Sequence, residues 1–212
     1  IRAQVLASIL DFVVGDPRFV KAVDELSRKD FIVVGNGGGG RPAGLAHHGT
    51  AEGGEYFFRH GITREVVYNS MLIPRRRDLH RRVGEAMEAI ARPLPPEAAA
   101  TVAFHFDKAG IAGKAYRYTL EAAGHAKRTH AGREAVMHYT RALSLAADAR
   151  AEGSDVAGIH DSLGEVFAFL ARYKDAIANF NTALSTGPEP GSKAVILRKR
   201  ARVLEQWGRY EE

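Results

Sequence analysis

The sequence predicts a mainly α-helical chain in two parts: a small module holding one β-hairpin, then a stack of helix pairs. Three observations predict it. Apolar residues recur at three- and four-residue spacing over most of the chain. Two short runs rich in β-branched or aromatic residues, 31–34 and 55–59, flank a glycine-dense stretch. Residues 157–188 carry small and aromatic residues at a spacing that partly recurs on either side.

In order along the chain, Val5, Leu6, Ile9, Leu10, Val13 and Val14 have helical spacing, and Phe19, Val20, Val23 and Leu26 resume it after Gly15-Asp16-Pro17. Asp16 is placed to cap the second helix, with Pro17 at its first position, where a missing N–H costs nothing. The runs 31–34 and 55–59 read as strands of a hairpin whose tip is the polar, glycine-rich segment 35–54. Helices over 62–72 and 75–91, separated at Pro74, complete a helix, helix, strand, strand, helix order, the sketch of a winged helix. Three prolines in residues 92–96 cannot continue a helix and mark a boundary. Beyond it, helices are expected over 98–109, 112–129, 132–151, 156–171, 173–186 and 193–207.

Leu163, Gly164, Phe167, Tyr173, Ala176, Phe180, Ala183 and Pro188 fall at the offsets of a tetratricopeptide repeat starting near Ala157. The spacing has a physical reason. Gly164 and Ala176 are small where two helices cross closely, Phe167, Tyr173 and Phe180 fill the gaps, and Pro188 ends the second helix. Gly208 and Tyr210 come into register with Ala171 and Tyr173 after a three-residue insertion. Ala135, Tyr139 and Ala142 match the second helix of an earlier unit, and Ala115, Thr119 and Ala122 do so more loosely, at irregular spacing. The fold class is therefore mainly α: a winged-helix-like module with a small β-hairpin (1–92), degenerate helical repeats (93–150), and a tetratricopeptide-type α-solenoid ending in a truncated repeat (151–212).

Composition excludes several function classes. Apolar residues at 45% and charged residues at 26% are ordinary for a globular chain. The longest apolar runs fall far short of the roughly 20 residues a membrane helix needs, and residues 2–14 lack the marks of a signal peptide. The absence of cysteine removes disulfides, thiolate metal sites and cysteine nucleophiles, and with no signal peptide it points to the cytoplasm. Nine histidines are scattered without metal-ligand spacing, His47-His48 lies in the glycine loop, and His80 and His105 read as packing or capping residues. Gly35, Gly37 and Gly40 satisfy G-x-G-x-x-G, but no apolar helix follows and no β-α-β unit surrounds them. No nucleophile has a base beside it, so no catalytic residue and no metal or cofactor is assigned to this chain.

The net charge is +5, and much of the excess is local: residues 59–92 hold eight arginines against four acids. A basic helix over 75–82 in a winged helix permits phosphate contact, so a DNA-binding regulator is the alternative reading. That helix must also bury Leu79, Val83, Met87 and Ile90, which narrows its free face.

The blocks YFFRHGITREVVYNSML (56–72), RRRDLHRRV (75–83) and EAME (85–88) resemble the region behind the ATPase module in bacterial signal-transduction ATPases with numerous domains. The likeness is to those attached to adenylate or guanylate cyclases or to helix-turn-helix regulators, and it covers roughly residues 1–150. It implies a P-loop ATPase module followed by a winged helix and repeats. No G-x-x-x-x-G-K-S/T occurs here, so ATP or ADP is implied only for a module upstream. The chain opens at Ile1 inside a helical pattern and stops at Glu212 as another unit begins, so a fragment of a longer protein is expected.

The resemblance carries over one residue. In related switch ATPases a histidine between the winged-helix strand and the next helix contacts the phosphates of ADP; His60 sits at such a join, although Gly61 follows it where relatives carry an aspartate. The expected function is a non-catalytic regulatory arm relaying occupancy of the repeats to the ATPase module in cis. A protein or peptide partner would lie in the groove lined by first-helix residues, among them Asp161, Glu165 and Phe169, whose acids suit a peptide carrying a basic residue.

Overall fold

The structure, a computed structural model, describes residues 19–35, 55–90 and 94–208. The expected helix over 5–14, the Asp16–Pro17 cap, most of the glycine-rich loop with His47-His48, Arg92-Pro93 and Tyr210 lie outside the described residues. The chain is mainly helical and divides into two compact units, Ile1–Leu94 and Pro95–Glu212. Residue 150 lies in a turn inside the second unit.

In the first unit, α1 (Phe19–Arg28) closes through Asp30 in the left-handed region, φ 64°, with Phe31 N–H donating back to the Leu26 carbonyl. β1 (Ile32–Gly35) pairs antiparallel with β2 (Glu55–Phe58), Ile32 opposite Phe58 and Gly35 opposite Glu55. At the open end of the hairpin Arg59 binds Asp30 at 2.5 Å. α2 (Gly61–Ser70) follows, ending two residues before the expected 72: Ser70 Oγ donates to the Val67 carbonyl and Met71 is extended. α3 (Ile73–Ile90) begins one residue before Pro74, which sits in the first turn where a helix tolerates proline. Leu79, Val83 and Met87 pack round fully buried Ala86, as their period predicts.

The second unit opens with a 3₁₀ turn (Pro96–Ala98) leading into α4 (Ala99–Ala109), then α5 (Ala112–Arg128), α6 (Gly132–Ala146), α7 (Gly153–Phe169), α8 (Tyr173–Ser185) and α9 (Pro190–Trp207). Each helix packs chiefly against its neighbours in sequence, and α7 also touches α9. That pattern is consistent with an α-solenoid. A core cluster runs through α5 to α9, from Ala123 and Tyr139 through Leu163 and Phe180 to Ile196 and Val203.

The same helix-ending device recurs. Gly110, His130, Arg150, Ala171 and Gly208 all take positive φ, between 56° and 77°. After the first four, the next residue donates its N–H to a carbonyl five residues back: Ile111 to Phe106, Ala131 to Ala126, Ala151 to Ala146 and Arg172 to Phe167. Arg150 explains one departure from expectation. α6 stops at Ala146, five residues before the expected end, because Arg150 turns left-handed, φ 57°, although the alanine-rich run 146–151 favours helix and carries no local stop signal. α7 then starts three residues early on a reciprocal cap between Glu152 and Asp155, and α9 three early on Pro190. α8 also ends before Pro188 is reached; Gly187, φ 89°, makes the turn.

Side-chain burial sets the register between helix pairs. Ala135, Tyr139 and Ala142 on α6 lie 41 residues before Ala176, Phe180 and Ala183 on α8, and all six are buried. Ile196, Val203 and Leu204 on α9 lie 37 residues after Ile159, Val166 and Phe167 on α7, and are buried to the same degree. α5, α7 and α9 are therefore equivalent first helices.

Candidate functional site

Equivalence in register puts one strip of α5, α7 and α9 side by side. Asp161 and Glu165 stand one turn apart on α7, so both carboxylates share a face. Lys199 on α9 donates to Asp161 Oδ2 at 2.6 Å and to Glu165 Oε1 at 2.5 Å. Lys127 on α5 takes the other oxygen of Glu165. All four side chains are between 21% and 33% exposed, which places the network at the edge of the core. Asp161 Oδ1 is buried without a hydrogen-bond partner among the described residues.

Burial works to raise the Glu165 pKa, but hydrogen bonds from Lys127 and Lys199 and their charges outweigh it and hold the carboxyl below its ordinary value. Burial likewise works to lower Lys199, and bonds to Asp161 and Glu165 overcome it, so the ammonium is raised. Glu165 and Lys199 are therefore both held in their charged forms near neutral pH. Nearby, the Tyr116 hydroxyl is buried without a hydrogen-bond partner among the described residues, and burial together with the Asp155 charge pushes its pKa up.

This geometry revises the expectation for the acids. The sequence reading offers Asp161 and Glu165 to a basic residue of a partner, yet both already hold lysines of their own chain. Phe169 is different: at the end of α7 it is 61% exposed, its ring 5.4 Å from that of His130.

His60 is exposed and precedes α2 with extended backbone, φ −121° and ψ 129°; its carbonyl accepts from Arg64, and its ring makes no capping bond. On α3 the arginines expected for DNA are largely engaged. Arg81 binds Asp78 at 2.7 Å and Glu85 at 2.8 Å, Arg75 lies 3.9 Å from Asp78, and Arg76 stacks over Tyr68. His80 pairs with the Tyr68 hydroxyl at 3.0 Å. No group of three or more metal-ligating side chains gathers among the described residues, and no described helix is long and apolar enough to cross a membrane.

The residues that sequence reasoning missed are Lys127, Lys199 and His130. Lys127 and Lys199 sit 38 and 34 residues from Glu165, and only the register between α5, α7 and α9, itself hidden by unequal offsets, would have paired them. Comparison with known protein families finds no family model that matches the chain, and no curated protein matches it either.

Proposed function

We propose that this chain is the non-catalytic interaction arm of a multidomain signalling ATPase: a winged-helix-like module followed by tetratricopeptide-type repeats that bind a protein or peptide. The observation that carries the reading is the strip of α5, α7 and α9, tied by Lys127, Glu165, Lys199 and Asp161, with Phe169 left 61% exposed beside it. Ion pairs across three helices hold the strip in one geometry, and preorganisation of that kind lowers the cost of binding. The small-against-aromatic packing of Gly164 on Phe180 supports the repeat assignment, and the blocks at 56–88 support attachment to an ATPase.

Two experiments test the two halves. Selection of a random displayed-peptide library on the chain should enrich binders whose affinity falls at least about tenfold on Phe169→Ala, the cost of losing one apolar anchor. No enrichment, or binding indifferent to Phe169→Ala, defeats the partner-binding half. For the relay half, the parent protein carrying His60→Ala should release ADP faster than the wild type; equal retention removes His60 from the nucleotide-sensing role.

A further inference from the structure

We infer that the partner segment is acidic, and that Arg198, Arg202 and Arg128 receive its carboxylates. The inference rests on the peptide-binding reading above and names the chemistry of the peptide. Arg198 and Arg202 lie 37 residues after Asp161 and Glu165, the same offset that superposes Ile196, Val203 and Leu204 on Ile159, Val166 and Phe167. They therefore hold on α9 the strip positions that the two acids hold on α7. Arg128 lies 41 residues before Phe169 and holds its position on α5. All three arginines are exposed and have no ion pair or hydrogen bond among the described residues.

The surrounding charges point the same way. Two lysines neutralise the two acids of the network, which leaves it without net charge. The three first helices carry nine lysines and arginines against five acids, whereas the second helices α6 and α8 carry three against two. α9 alone has five cations and the single acid Glu205. Glu121 on α5, Asp155 on α7 and Glu205 are the exposed acids of this set, and none of them pairs with Arg128, Arg198 or Arg202.

Guanidinium groups one turn apart on a helix suit two carboxylates of a peptide, each bound through paired N–H donors. Phe169 beside His130 offers an apolar contact between the arginines of α5 and those of α9. A protein segment fits better than a nucleic acid. The neutral network of Asp161, Glu165, Lys127 and Lys199 interrupts the cationic strip at its middle, where a continuous phosphate backbone would meet lysines already paired.

The test is the charge of what binds. A displayed library of random dodecamers selected on the chain should enrich Asp and Glu together with an aromatic or large aliphatic residue. A labelled peptide from that pool should lose at least about tenfold in affinity on combined Arg198→Glu and Arg202→Glu, and should weaken steeply from about 50 to about 500 mM salt. Arg77→Glu, an exposed charge on α3 of the first unit, should leave binding unchanged. Enriched peptides that are basic or uncharged, yet lost on Phe169→Ala, would overturn the acidic assignment while leaving the groove reading intact. Absence of any binder would overturn both. Tighter binding of an oligothymidylate than of the acidic peptide, sensitive to the same double reversal, would assign the strip to nucleic acid instead.

Discussion

Gly164→Ala is the sharpest probe of the helix packing. A Cβ at this position would stand 2.5, 2.7 and 2.8 Å from Cε1, Cδ1 and Cζ of Phe180, where carbon pairs prefer about 3.5–4.0 Å. Phe180 is only 1% exposed, so its ring has nowhere to swing. Overpacking of a full core costs about 1–3 kcal/mol, and replacing glycine by alanine inside a helix returns up to about 1 kcal/mol. The net expectation is a loss of up to about 2 kcal/mol, a fall in Tm of up to roughly 8 °C for a unit of this size. Gly158 supplies the control. It is exposed on the same helix, and a Cβ added there would meet no atom within 4 Å, so Gly158→Ala should gain about 0.5–1 kcal/mol. Thermal and urea unfolding followed by far-UV circular dichroism, and by emission of the sole tryptophan, Trp207 in the second unit, measures both. In a Phe180→Leu background the Gly164→Ala penalty should shrink, because the atoms it meets are gone. If Gly164→Ala proves as stable as Gly158→Ala, the close crossing of α7 and α8 is wrong.

Other expectations are smaller in scope. Ala171 takes φ 56°, a strained region for alanine, while Gly208 fills the equivalent turn; Ala171→Gly should raise stability by about 0.5 kcal/mol in urea unfolding. Glu165→Gln should cost about 1–2 kcal/mol, between the values for surface and buried pairs, because two lysines lose a shared carboxylate. Since the folded pKa of Glu165 is depressed, its contribution is complete above about pH 4.5 and is lost as pH falls through the folded value; Lys199, raised, contributes fully below about pH 10.5 and loses its share as pH climbs through its own. A stability profile against pH should therefore have an acid limb that Glu165→Gln flattens. Phe169→Ala should change stability by less than about 0.5 kcal/mol, since the side chain is mostly in water, so any loss of binding is read cleanly.

Much of the fold was legible in the residues. Leu79, Val83 and Met87 declare the buried face of α3 by period alone, and the offsets of Gly164, Ala176, Phe180 and Ala183 anticipate which side chains meet where α7 crosses α8. Helix ends were less legible. The stop at Ala146 depends on Arg150 adopting a left-handed conformation that its side chain does nothing to advertise, and the start at Gly153 depends on a Glu152–Asp155 cap outside the usual Ser or Thr pattern. The offsets of 41 and 37 residues between helices of matching burial came from the structure, because turns of unequal length blur any fixed period read along the chain.

The sequence by itself determined which residues are small, aromatic or apolar and at what helical spacing, and through these the helices and the crossing of Gly164 beneath Phe180. That information is local, since a helix carries its own period. Only the tertiary structure decided what the charges on the first helices do. Asp161, Glu165, Arg198 and Arg202 look alike in sequence, as ionisable residues on solvated helix faces. Stacking α5, α7 and α9 in register brings Lys127 and Lys199 onto the two acids and leaves the two arginines unpaired among the described residues. Ion pairing depends on distance between helices more than thirty residues apart, and no spacing along one helix encodes it.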